Sequence, residues 1–177
     1  MNYIGIKWYD VANGPGARVS LFVSGCPHHC PACFNSETWD YLMGERFTAT
    51  VEDEIIKALH KQDIDGLSLL GGEPFAPANQ VVVYLFVKRV RKVLPNVSIW
   101  AYSGYTWEQL INDNVQPLSK NLLLLCDVLV DGPFIHGLQD IKLQYRGSSN
   151  QRIIKVQESY KKGEVVLWNP AMTRSRF

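Results

Sequence analysis

No apolar run in this 177-residue chain approaches the roughly 20 residues that a bilayer-spanning helix needs. Residues 1–7 likewise lack the basic stretch and long apolar segment of a secretory signal. A cytoplasmic protein is therefore expected, with no membrane partner. Internal repeats, low-complexity tracts and linker-like segments are also missing, which argues against a repeat array or a string of domains. Net charge is slight, at +1, and nothing in the pattern favours nucleic acid. That total hides an asymmetry. Residues 1–140 hold 10 Lys/Arg against 15 Asp/Glu, whereas residues 141–177 hold 8 against 2, so an acidic body (−5) carries a basic end (+6). The basic end reads as a solvated tail or as a surface for an acidic partner or a nucleotide.

Cysteine is scarce as well. There are four, and three of them, Cys26, Cys30 and Cys33, fall within eight positions. In a reducing compartment that clustering points to metal ligation rather than a disulfide framework. Cys126 stands apart between apolar neighbours and reads as a core residue. With 46% hydrophobic and 20% charged residues, the composition is that of one soluble domain over residues 1–177.

What is present is an alternation of strand-like and helix-like segments. Strands are expected over 19–23, 67–70, 97–102 and 122–130, with one more at 165–168. Helices are expected over 51–60, capped by Thr50, over 79–94, stopped by Pro95, and briefly after Thr106. Such alternation argues for βαβ units around a parallel sheet, a fold that binds ligands at the carboxyl ends of its strands. Four unusual segments fall there: the cysteine loop, Gly71-Gly72-Glu73-Pro74, Ser103-Gly104-Tyr105 and Asp131-Gly132-Pro133.

The loop reads Gly25-Cys26-Pro27-His28-His29-Cys30-Pro31-Ala32-Cys33-Phe34-Asn35. Three thiolates can hold three corners of a 4Fe–4S cubane, which ordinarily takes four, so one iron would stay open for a chelating substrate. A closed zinc site of the three cysteines with His28 or His29 satisfies the same spacing. The loop by itself leaves both open.

Taken together, CxxxCxxC followed by Phe34-Asn35, Asn13-Gly14-Pro15-Gly16 upstream and Gly71-Gly72-Glu73-Pro74 downstream resemble the radical S-adenosylmethionine superfamily. Within it the chain resembles the glycyl-radical activases of anaerobic ribonucleoside-triphosphate reductase. The likeness runs from Asn13 to about Arg152, which leaves residues 153–177 as a basic extension, and includes Trp39, 127–132 and 146–151. It implies an α/β fold built as a partial, open TIM-like barrel. It also implies a 4Fe–4S cluster on Cys26, Cys30 and Cys33, reductive cleavage of S-adenosyl-L-methionine to a 5′-deoxyadenosyl radical, and removal of a hydrogen from a backbone glycine of the reductase. A reduced donor such as flavodoxin would supply the electron.

On this reading Gly71 and Gly72 admit the methionine end, Glu73 or nearby carbonyls accept from its ammonium, and Pro74 stiffens the turn. Ser103, Tyr105 and Asp131 become candidates for ribose or adenine contacts, and residues 14–16 shape the rim. Many superfamily members place an aromatic residue just before the last cysteine. This chain has Ala32 there, which makes Phe34 the candidate replacement. Plainer roles compete: Tyr105 and Trp107 as core cover, Asp131 as a turn former, Arg146 and Arg152 as solvated residues, His28 and His29 as exposed loop residues. The alternatives for the whole chain are a radical enzyme acting on another glycyl-radical protein or a small molecule, and a zinc-binding interaction module. Activases with a ferredoxin-like insert need about eight more cysteines for two further clusters, and only one lies outside the triad here. Metal content separates the readings: protein purified without oxygen should be brown and contain iron and sulfide, whereas a colourless product with one zinc would select the interaction module.

Overall fold

The computed structural model describes residues 1–112 and 117–169. In chain order its strands are β1 (Asn2–Asp10), β2 (Arg18–Val23), β3 (Glu45–Arg46), β4 (Gly66–Gly71), β5 (Ser98–Tyr102), β6 (Val128–Asp131) and β7 (Arg152–Lys155). Its helices are α1 (Ala49–Leu59), α2 (Pro77–Val93), α3 (Trp107–Leu110), α4 (Ser119–Leu123) and α5 (Val156–Lys162). None is long and apolar enough to cross a membrane, among the described residues.

The strands form one sheet in the order β3-β1-β2-β4-β5-β6-β7. The central four, β2, β4, β5 and β6, run parallel, with antiparallel strands on both flanks. The two outermost strands do not pair, so the sheet is a curved fragment of a barrel rather than a closed one. This is the expected open, partial α/β barrel. The sheet extends past the 13–152 core at both ends, since β1 precedes it and β7 with α5 follows.

Period-2 alternation sorts the side chains. Val19, Leu21, Val23, Leu67, Leu69, Ile99, Ala101 and Leu129 turn outward and pack with Ile55 and Leu59 of α1 and Val83, Phe86 and Val87 of α2. Arg18, Ser20, Phe22, Ser68, Leu70, Trp100, Tyr102 and Val130 turn inward. The inner face is thus mostly polar or aromatic, and the helices have an apolar bed. At its base Arg18 is wholly buried. Its guanidinium donates to Ser68 Oγ (2.7 Å), Leu67 O (2.7 Å) and Ser98 O (3.0 Å) and faces the Trp100 ring at 5.6 Å. Burial lowers its pKa to about 10. Ser68 Oγ in turn donates to Asn13 O (2.5 Å), fixing the turn that closes the floor.

Several boundaries differ from expectation. Helix α1 begins one residue after Thr48, whose side chain accepts from Val51 N, so Thr48 is the cap and Thr50 sits inside the helix. The apolar run 122–130 is not one strand. It holds the end of α4, a turn containing buried Cys126, and β6, because a buried helix end and a buried strand are equally apolar and carry no distinguishing period. Residues 165–168 lie beside β7, with Trp168 N donating to Ile153 O (2.7 Å) and a single bridge between Ile154 and Leu167.

Asp131, at the outward end of β6, accepts from Trp107 N at the start of α3 (2.7 Å) and from Arg152 of β7. Arg152 also donates to both carboxylate oxygens of Glu108 (3.1 and 2.8 Å), tying α3 to two strands. These hydrogen bonds hold the Glu108 carboxyl down to about 2. Because the folded-state value is depressed, the pair stabilises above the ordinary carboxylate range and is lost as pH falls toward 2. A carbon-13 titration of the Glu108 carboxyl should therefore show a midpoint near 2, and Arg152→Met should return it to the ordinary range; an unshifted midpoint in the unsubstituted protein would contradict the pairing.

Candidate functional site

The cysteine loop leaves the end of β2 through Gly25, whose φ of +90° is open to glycine. Its base is closed by Gly25 N to Thr38 O (2.7 Å) and Cys26 N to Trp39 O (3.1 Å), and Cys33 N to Cys30 O (3.1 Å) closes a turn within it. The loop carries non-glycine residues in left-handed conformation at His29 and Ala32, a local strain held by these closures. All three cysteines line one cavity of about 450 Å³ inside the barrel fragment. Burial pushes the Cys26 thiol up to about 11 and raises Cys30 as well. Without metal these are thiols, and loading a metal must displace their protons.

Glu73 organises the neighbouring walls. Its carboxylate is 1% exposed and accepts four hydrogen bonds. Oε1 takes Phe75 N (3.0 Å) and Ser103 Oγ (3.0 Å); Oε2 takes Gly104 N (2.8 Å) and His28 Nε2 (3.0 Å). One side chain thus joins the cysteine loop, its own turn and the turn after β5. Asn79, also buried, adds bonds to Ser24 O (2.8 Å) and Glu73 O (3.0 Å). The glycines before Glu73 serve backbone-to-backbone approach: a Cβ on Gly72 would stand 2.4 Å from Gly25 O, and one on Gly71, at φ +101°, 2.8 Å from Phe22 Cα.

Of the candidates read from the sequence, Cys26, Cys30, Cys33, Phe34, Gly71, Gly72, Glu73 and Ser103 line the cavity. Four do not. Ala32 lies on the exposed outside of the loop, and Pro74 is buried behind the turn. Tyr105 packs edge-on against the His28 ring at 4.4 Å. Asp131 faces the helices, because it shares the outward parity of Leu129. Neither Tyr105 nor Asp131 lines this cavity. The wall also includes Lys7, Asn13, His28, Asn35, Tyr102, Phe134, Arg146 and Gln151. Parity along β5 signals Tyr102. Lys7 lies on a strand the sequence pattern did not reveal. Phe34 remains 61% exposed at the mouth, its ring 5.1 Å from Phe134.

The donor set fits a cluster better than a single ion. Among the described residues no three His, Cys, Asp or Glu side chains are arranged to hold one metal ion. Both histidines a zinc site would draw on are engaged elsewhere, His28 with Glu73 and His29 stacked on Trp39 at 4.8 Å. A cubane bonds each thiolate to a different iron, and Cys26, Cys30 and Cys33 all line one cavity.

Comparison with known proteins agrees. The family described as "4Fe-4S single cluster domain" matches residues 12–154. Proteins named anaerobic ribonucleoside-triphosphate reductase-activating protein are similar along nearly their whole lengths. The one from Vibrio cholerae is 46% identical over 155 residues, covering 86% of this chain and 97% of its own. That from Escherichia coli K12 is 42% identical over 153 residues, 85% and 96%. That of Enterobacteria phage T4 is 39% identical over 153 residues, 86% and 93%. The chain belongs to this family of reductase-activating proteins.

In this family member, then, the three cysteines stand on a loop that one buried carboxylate ties to the turns after β4 and β5. Replacing Glu73 by Gln leaves its shape but turns an amide NH₂ toward donors. The expected cost is on the order of 3 kcal/mol, measured by denaturant unfolding of the metal-free protein, with faster amide exchange in residues 26–35; unchanged exchange there would show that the loop does not depend on Glu73.

Proposed function

We propose that this chain is the activase that places a glycyl radical on anaerobic ribonucleoside-triphosphate reductase. It would use a 4Fe–4S cluster held by Cys26, Cys30 and Cys33, and S-adenosyl-L-methionine bound beside it. The observation that carries this reading is that three cysteines of one loop line the same cavity as the strand-end turns after β4 and β5. When bound, the cluster and S-adenosyl-L-methionine together supply one-electron cleavage of the sulfonium and a 5′-deoxyadenosyl radical able to take hydrogen from a glycine Cα.

The chain's own part is to position and to exclude. Cys26, Cys30 and Cys33 would each give one thiolate to the cluster, with room beside it for the amino-acid end of S-adenosyl-L-methionine. The side chain of Glu73 already accepts four bonds, as many as its lone pairs allow. The hydrogens of the methionine amino group would therefore fall to the backbone carbonyls of Gly71 and Gly72, with Glu73 holding that turn against the cysteine loop. Phe34 and Phe134 offer the aromatic surface for adenine that Ala32 lacks. Ser103 lines the wall between. No side chain need act as a general base, since a hydrogen atom rather than a proton is moved. The protein works in the cytoplasm, where thiols stay reduced, and takes its electron from a reduced donor such as flavodoxin.

Anaerobic protein reduced in the presence of S-adenosyl-L-methionine should release 5′-deoxyadenosine and methionine, and Cys26→Ala, Cys30→Ala and Cys33→Ala should each abolish this. Cleavage surviving in any of the three would refute the ligand assignment. Mixed with the reductase, the protein should generate a glycyl radical doublet in electron paramagnetic resonance. Cleavage without that signal would move the target to another protein or a small molecule.

A further inference from the structure

Strand β1 flanks β2, and only its first two residues have a second partner, Asn2 with Arg46 and Tyr3 with Glu45 of β3. Among the described residues, the main-chain groups of residues 4–9 that point away from β2 take no hydrogen bond. Such an edge is a template for another strand, and β3 already uses its upper end that way. Gly5, Ile6 and Lys7 pair in continuous register with Phe22, Leu21 and Ser20, between an irregularity at residue 4 and another at residues 8–9. Trp8 and Tyr9, which follow, are largely exposed.

This edge is continuous with the cavity. Lys7 lines the cavity, its Nζ 5.3 Å from the Phe22 ring centre. A Cβ built on Gly5, two residues away on the same face, would meet nothing within 4 Å. Across the opening the cavity is lined by Leu143, Tyr145, Arg146 and Gly147, which precede the opposite flank of the sheet. The mouth therefore lies between the free edge of β1 and the loop before β7.

We infer that the free edge of β1, residues 4–9, docks the glycine-bearing segment of the partner reductase as an added β-strand across the mouth of the cavity. The inference rests on the function proposed above. That reaction acts on main chain, and a glycine offers no side chain for a pocket to grip. Ladder hydrogen bonds hold main chain whatever its side chains. Successive residues of an added strand alternate between faces, so every second Cα turns to the face of Lys7 and Phe22, where the cavity opens. A second copy of this chain could pair along the same edge, but it would compete with the reductase for the mouth.

The test is hydrogen–deuterium exchange of the cluster-loaded protein, alone and mixed anaerobically with the whole reductase, with the glycyl radical signal read in the same mixture. Edge-facing amides within residues 4–9 should slow by roughly ten-fold or more, while those on the exposed face of α2 around Val81 and Leu85 should not. Radical formation with unchanged exchange at 4–9 overturns the docking surface and leaves the proposed function standing. Slowing that appears in the protein alone as its concentration rises identifies a second copy as the occupant and also overturns it. Absence of both radical and complex removes the proposed function, and the docking surface with it.

Discussion

The arrangement of the site depends on the hydrogen bonding of one buried carboxylate. A desolvated Glu73 side chain is costly unless its lone pairs are met, and it meets them with donors from three separate segments. The constraint works in both directions. The carboxylate can stay buried only while His28, Ser103 and Gly104 stand where they do, and those segments have little regular structure of their own to hold them there. A loop carrying three cysteines is in this way fixed by chemistry one strand away.

Around that centre, the period of the β-strand separates duties. Outward residues are apolar and give α1 and α2 a bed to pack on; inward residues are polar or aromatic and face the cavity and its floor. The same rule moves Asp131 out of the site, since it sits in register with Leu129 rather than Val130. It also explains why a wholly buried arginine can be tolerated at the floor. Arg18 occupies an inward position surrounded by carbonyls and hydroxyls, with the face of Trp100 beside it.

Much of this was legible beforehand because it rests on local signals. The parallel strands, the helices between them and the four strand-end motifs all announce themselves through β-branched runs, helical spacing and Gly/Pro turns. Flanking strands did not, because β1 mixes Lys7, Trp8 and Tyr9 into its pattern and β7 shows only Ile153 and Ile154 between charged residues. The sequence offers Glu73 or the carbonyls beside it as the ammonium acceptor; that Glu73 also braces the site is hidden from it, since sequence cannot show how many donors converge on one carboxylate. Gly71 and Gly72 line the cavity and also make room for the backbone of Phe22 and Gly25, an approach the sequence does not reveal. Parity counted along β6 would have turned Asp131 outward from the start.

Cys126 gives the molecule a form of damage control. It is fully enclosed, its thiol pushed up to about 12 by burial, and its Sγ donates to Leu122 O. An oxidant or a disulfide reacts only with a thiol it can reach, so the cysteines open to attack are the three that line the cavity. Any disulfide within one chain then joins members of the same short loop and leaves the core untouched.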